Sequence, residues 1–343
     1  MASELEIVIN KVSEDSWREF LERTPGAMIY HTPEWKRVLE KSFGYKPYYI
    51  FVVDDTGQIR GFLPLMLIRS KLFGNRLSSL PLSHRCGYIG NPTFLREAFN
   101  SAVKLYNEKL GNGALEIRES SEGYFKEACN FSTYILELSN DLDEVWKKLD
   151  KGSVRWAIKK AAKLGVNVEI SNNSKEDIKL FYELNCETKK RKGVPCHPLR
   201  FFKSLFRYAS QYSQLYLAKI NDDTIGGGVM LLFRDTVVYG YGAAKDSMLR
   251  YHPYHAFLWK AIEDSINSGF RYFDFGRAHR QNTGLIQFKK RWGTKEIPLI
   301  YSYYPSIPKA GNLRNNRTLI SIVRYLPSPA YKFGSNWIFG KVV

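Results

Sequence analysis

The chain has 343 residues, with 51 Lys plus Arg against 34 Asp plus Glu, and a formal net charge of +17. With 44% hydrophobic and 15% aromatic residues it carries enough apolar material for a sizeable core, which excludes intrinsic disorder and a fibrous repeat, and its length favours two domains over one. The longest apolar runs, residues 61–68 and 229–233, fall far short of the roughly 20 residues that a membrane-spanning helix needs.

The start, MASELEIVIN, lacks the basic and apolar regions of a secretory signal, so a cytoplasmic protein is expected. Residues 14–23, with Ser13 as N-cap, and residues 33–42 carry helical patterns. An extended run at 48–53, the turn Asp54-Asp55-Thr56-Gly57 and a second run at 59–68 predict a hairpin. A helix at 95–110 and strands at 114–118 and 133–138 complete a first α+β block, residues 1–140.

The order then repeats. Residues 215–220, 224–233 and 236–243 predict a three-stranded meander, followed by a helix at 254–268, a strand at 272–275, a short helix at 285–292 and a strand at 300–304. Residues 50–68 and 215–233 share one grammar of strand, Asp-rich turn, glycine and apolar run, which suggests an internal duplication. The second block is expected over 141–310, with a basic amphipathic tail at 311–343.

Basic residues are clustered. Residues 147–163 hold seven against one acid, 188–203 hold six against none, and 297–343 hold six against none. Such clusters suggest a polyanionic partner: nucleic acid, a phosphate-bearing substrate or an anionic membrane surface. Lys151, Arg155, Lys159 and Lys163 recur every four residues, while Val154, Ile158, Ala161 and Ala162 are expected on a separate core face. A solvated helix face is the plain alternative, although few acids are present to form neutralising i,i+4 pairs. In the tail, Arg314, Arg317, Arg324, Lys332 and Lys341 accompany Ile320, Ile322, Val323, Leu326, Trp337 and Phe339, which predicts weak peripheral membrane contact or simple docking.

The four cysteines, Cys86, Cys129, Cys186 and Cys196, have no metal-ligand spacing, and reduced core thiols with no metal site are expected. No Walker loop, GxSxG elbow, HExxH or dinucleotide glycine motif occurs. The densest polar-aromatic segment is Phe273-Asp274-Phe275-Gly276-Arg277, continuing to Phe288-Lys289-Lys290-Arg291-Trp292-Gly293. A strand ending in Asp-Phe-Gly-Arg delivers charge at its carboxyl end, where α/β folds bind ligands. Tyr239 and Tyr241, separated by Gly240, are expected on one face of a strand, where two phenols can meet sugar or phosphate oxygens.

The run from Tyr254 to Tyr304, with LWKAIEDSINSGFRYFDFGR and FKKRWG, resembles the FemAB family of non-ribosomal peptidyltransferases, and within it the FemAB-related proteins of exosortase and exopolysaccharide clusters. HTPEWKRVLEKSFGYKP, RWAIKKAAKLGVNVEI and ETKKRKGVPCHPLRFF add to the resemblance. It implies two tandem modules of the N-acetyltransferase (GNAT) type, and transfer of an aminoacyl group from aminoacyl-tRNA to an amine on a nucleotide- or lipid-linked peptidoglycan or polysaccharide precursor. Motif by motif, Lys36, Arg191, Tyr239 and Tyr241 fall at precursor-binding positions, and Phe288 with Lys289 at the family's Phe-Lys pair.

The long coiled-coil insertion of some tRNA-dependent members is missing, which makes acyl-CoA the rival donor. Residues 244–250, however, lack the glycine pattern with which simple N-acetyltransferases hold its pyrophosphate. Lys289 is expected in an electrostatic catalytic role, and Asp274 as a proton acceptor or as a partner holding Arg277. Arg277, Arg191 and Lys36 are expected to clamp anionic substrate, and Lys151, Arg155 and Lys159 to bind a polyanion. A catalytically silent tRNA- or RNA-binding protein is the reading from a different class.

Overall fold

Residues 5–70, 74–119, 121–308 and 323–342 are described by a computed structural model of the chain. They fold as two units. The first holds residues 1–130, 298–310 and 340–343, and the second 131–297 and 311–339. The division thus falls at 130, and residues 298–310 lie with the first unit because Ser302, Tyr303 and Tyr304 pair antiparallel with Ile117, Glu116 and Leu115.

In the first unit, strands Glu6–Ile9, Ile50–Val53, Ile59–Leu63 and Ile89–Gly90 form an antiparallel sheet. The single strand expected over 59–68 is broken. Pro64 has no N–H for a ladder, so the chain leaves that sheet after Leu63 and Met66–Ile68 pairs instead with Lys46–Pro47 and Arg76–Ser78. Helix Glu14–Arg23 begins where Ser13 accepts a hydrogen bond from the Ser16 N–H, and helix Pro33–Phe43 where Thr32 accepts from Trp35. Helix Leu95–Lys109 buries Ala98, Phe99, Ala102 and Leu105 against Ile50, Val52, Leu77 and Leu115.

The second unit has a sheet in the order Asn167–Ile170, Ser213–Ile220, Asp223–Phe233, Thr236–Ala244, Tyr272–His279, and then the second half of strand Lys126–Glu137. The expected meander is the antiparallel run from Ser213 to Ala244. Thr236–Ala244 and Tyr272–His279 run parallel, and helix Pro253–Asn267 makes the crossover between them. Helices cover both faces. A Cβ on Gly228 would lie 2.5 Å from Phe257 of helix Pro253–Asn267, whereas one on neighbouring Gly227 would face Phe181 of helix Lys175–Arg191.

The basic segment begins with a wide turn, Lys151–Arg155, in which Arg155 N–H reaches back five residues to the Asp150 carbonyl, and continues as helix Trp156–Lys163. Val154, Ala157, Ile158 and Ala161 are buried at i, i+3, i+4 and i+7, but Ala162, in the last turn of the helix, is exposed, contrary to expectation: a stripe of this width ends at Ala161. Helix Ser328–Val342 buries Tyr331, Ser335 and Phe339 at four-residue intervals, leaving Phe333 78% and Trp337 53% exposed. The cations Arg314 and Arg317 of the expected tail lie outside the described residues. No helix among the described residues is long and apolar enough to cross a membrane.

Candidate active site

Strand Tyr272–His279 buries Phe273 and Phe275 on one side, and Asp274 between them is fully buried. Its antiparallel partner is the strand that carries Thr133 and Ile135. Asp274 lies opposite Ile135 and Arg277 opposite Thr133, so three steps on one strand match two on the other. Gly276 takes up the extra residue at φ +71°, a left-handed conformation in which a side chain is strained. Asp274 Oδ1 secures this bulge, accepting from the Gly276 N–H at 2.8 Å and from the Thr133 hydroxyl at 2.5 Å.

The bulge turns the carbonyls of Gly276 and Arg277 toward Lys289. Helix Thr283–Lys290, capped by Asn282, delivers the Lys289 side chain, whose Nζ donates to Gly276 O at 2.6 Å and to Arg277 O at 3.0 Å. Lys289 is buried and its Nζ sits 5.6 Å over the Tyr134 ring. Burial pulls its pKa down to about 7, with Arg277 adding to the fall and Asp274 opposing it. Two carbonyl bonds use two of the three N–H directions of an ammonium.

Arg277 stacks on Phe131 at 4.8 Å. Phe288 packs edge-on to His255 at 5.7 Å, and His255 stacks on the fully buried Trp292. Burial lowers His255 to about 4, so its imidazole is neutral at pH 7.

The parallel ladder beside this cluster is short. Thr236 pairs with Tyr272, Val237 with Phe273 and Val238 with Asp274, and there it stops. Next on Thr236–Ala244, Gly240 forms a second bulge, since Val229 and Met230 face Tyr241 and Tyr239. This corrects the expectation that the two tyrosines share a face. The extra residue reverses the alternation: Tyr239 packs with Phe257 and Phe275, and its hydroxyl occupies the space of a Cβ on Gly242, only 1.7 Å away. Tyr241 lies on the other side, against His197, Phe201 and Phe202.

Arg191 ends helix Lys175–Arg191 and pairs with Asp246, just past strand Thr236–Ala244. One turn earlier, Thr188 Oγ1 bonds both the N–H and the carbonyl of Ala244, and Tyr254 lies within hydrogen-bonding reach of Thr188 and Arg191. Lys36 is half-buried on helix Pro33–Phe43 of the first unit. Lys151 and Lys159 are exposed, the latter 5.9 Å from the Trp146 ring, and Arg155 Nε is buried without a hydrogen-bond partner among the described residues.

The structure therefore gathers Asp274, Arg277, Phe288, Lys289 and Tyr239 around the paired bulges. Arg191 stands near the end of the strand that carries Tyr239, and Tyr241 packs on the opposite face. Thr133, Tyr134, Tyr254 and His255 were not anticipated. Thr133 is 141 positions from Asp274, and no local motif marks it.

Residues 150–290 match the family model described as the acetyltransferase (GNAT) domain. The crystal structure of FemX has the same fold over 86% of this chain and 96% of its own, at 18% identity and a TM-score of 0.66. The tandem GNAT protein of the clavulanic acid pathway covers 89% of this chain and 100% of its own at 12% identity, with a TM-score of 0.54. The chain consists of two GNAT-like modules in a FemAB-like fold. The C-terminal domain of a putative lysylphosphatidylglycerol synthetase from Agrobacterium fabrum is similar over 90% of this chain and 96% of its own, with a TM-score of 0.57 at 9% identity. No curated protein matches the sequence.

Proposed function

We propose that the protein is an N-acyl- or aminoacyltransferase acting on a phosphate-bearing precursor of the cell envelope. The observation that carries this reading is the Lys289 cation, buried and held on two backbone carbonyls where the parallel ladder ends. Acyl transfer to an amine passes through a tetrahedral centre whose oxygen gains negative charge, and a donor fixed beforehand in a dry site stabilises it strongly. The remaining N–H of Lys289 supplies that donor, and Asp274 acts through Gly276 as a positioning residue. The acetyltransferase-domain match supports the reaction class, and likeness to FemX and to a lysylphosphatidylglycerol synthetase domain supports an envelope acceptor.

In this reading Arg277 and Arg191 bind anionic parts of donor and acceptor, and Tyr239 and Phe288 shape the site; Lys36 is an anion-binding residue of the first module taken by itself. Tyr241, on the opposite face, acts through packing. Residues 246–251 form a 3₁₀ turn without closely spaced glycines, so acyl-CoA would have its pyrophosphate held by side chains, and both it and aminoacyl-tRNA stand as donors. The exposed cations Lys151 and Lys159, with Arg155, suit a polynucleotide donor as well. Peripheral contact with the inner face of the membrane, through Phe333 and Trp337, would bring the enzyme to a lipid-linked acceptor.

The test offers the protein aminoacyl-tRNA and acyl-CoA separately, with total envelope precursor as acceptor, and reads N-acylated product by mass spectrometry. Product from either donor supports the reading and identifies the donor. RNA binding without product from either would replace it with the silent RNA-binding alternative.

A further inference from the structure

Cys186 and Cys196 lie side by side in the second unit. Cys186 is on helix Lys175–Arg191, Cys196 follows the basic turn at 189–193, and the Cys186 thiol points at Cys196 Sγ with the sulfurs 3.0 Å apart. Both residues are buried, at 4% and 0% exposure. A disulfide needs an S–S distance of about 2.05 Å, so roughly 1 Å of approach separates the thiol pair from a covalent bond. Cys186 also lines a cavity of about 360 Å³, together with Leu184, Glu187, Lys190 and Tyr331, which gives a small oxidant a route to the sulfur.

The surroundings favour oxidation of this pair. The Cys196 N–H donates to Ser335 Oγ at 3.3 Å, and the Tyr331 hydroxyl donates to the Val194 carbonyl at 2.7 Å, so helix Ser328–Val342 holds the cysteine-bearing loop in place. The Cys186 thiol contact, aided by Ser335 and opposed by burial, brings the Cys196 thiol down to about 7, while the same contact and burial push Cys186 up. A more acidic thiol beside a protonated one is the arrangement in which the first is oxidised and the second resolves it.

We propose that Cys186 and Cys196 are a redox modification site, a dithiol that peroxide converts reversibly to a disulfide. One sulfur attacks the O–O bond, becomes a sulfenic acid and releases water. The other sulfur then displaces the second oxygen as water. Two thiols and one peroxide thus yield one disulfide and two waters, and an external dithiol reverses the change. The bond closes a ring around residues 189–192, the basic turn that includes Arg191.

The test uses the full chain carrying Cys86→Ser and Cys129→Ser, treated with hydrogen peroxide, then blocked with iodoacetamide, denatured and digested with trypsin without reduction. Cleavage between the two cysteines makes the pairing readable: LFYELNCETK and GVPCHPLR should appear joined, 2 Da below the sum of their masses, and separate after dithiothreitol. The same joined peptide from the unsubstituted chain, in its monomer fraction, covers the case in which the double variant fails to fold. Both cysteines alkylated, or one carried to sulfinic acid, at a peroxide dose that fully oxidises glutathione would overturn the proposal.

Discussion

Lys289 Nζ stands 2.6 Å from the carbonyl of Gly276, the residue whose N–H is held by Asp274 at 2.8 Å. One glycine therefore links the two charged groups of the site through its own backbone. Its left-handed φ makes that arrangement possible, because both of its polar atoms can face inward at the bulge.

The depressed pKa of Lys289 has a consequence for stability. Its folded value is about 7 against the ordinary 10.5, so between those two pH values the unfolded chain binds more protons and stability rises with pH. The shift corresponds to about 5 kcal/mol across that window. Lys289→Met removes this contribution. Urea midpoints at pH 6.5 and 9.5 should therefore show Lys289→Met stabilised relative to the natural chain mainly at the lower pH, and an equal difference at both would place the ammonium in water.

Gly242 keeps the space that the Tyr239 hydroxyl fills. Gly242→Ala forces the ring out of its place between Phe257 and Phe275, which should cost about 1–3 kcal/mol of stability by overpacking. Thermal unfolding measures the loss. In the double variant Gly242→Ala, Tyr239→Phe only part of it should return, since the ring carbons Cζ and Cε2 of residue 239 would still lie 2.6 and 2.9 Å from the new Cβ.

Much of the fold is legible in local pattern. Helix Glu14–Arg23 and the meander from Ser213 to Ala244 follow directly from capping, turn residues and apolar runs. The Asp274 and Lys289 neighbourhood is likewise signalled by the two dense motifs that contain it. The two bulges are not, because an extra residue in one strand depends on what its partner does. That is why Tyr239 and Tyr241 separate against simple alternation, and why Thr133, on a distant strand, could not be foreseen as the partner of Asp274. Pro64 marks the break after Leu63, yet the apolar run on both sides of it reads as one strand over 59–68 and conceals the change of sheet.

The basic segment makes a salt-dependent prediction. Replacing Lys151, Arg155 and Lys159 together by glutamine should reduce the slope of log affinity against log salt for tRNA by about 2–3, because each phosphate contact releases a counterion. Filter binding or fluorescence anisotropy across salt concentrations measures it. An unchanged slope assigns these cations to solvent.

Helix Ser328–Val342 separates docking from membrane contact, since Tyr331, Ser335 and Phe339 face inward while Phe333 and Trp337 face out. Phe333→Ser with Trp337→Ser should leave the unfolding temperature nearly unchanged and weaken co-sedimentation with anionic vesicles several-fold, as interfacial aromatic anchors are lost. Equal sedimentation by both proteins would leave the helix a docking element alone.

The central claim is that the buried Lys289 cation stabilises the charge that develops during acyl transfer. It is tested most directly by the single-turnover transfer rate of Lys289→Ala and Lys289→Arg beside the natural chain, measured from pH 5.5 to 10 with folding checked by near-UV circular dichroism. Lys289→Ala should be slower by about 10²-fold or more, equivalent to about 2.7 kcal/mol. In the natural chain the rate should fall as pH rises through about 7, where the ammonium loses its proton, and in Lys289→Arg that fall should move above pH 10. A folded Lys289→Ala protein that transfers at the natural rate, with the same pH profile, would contradict the account.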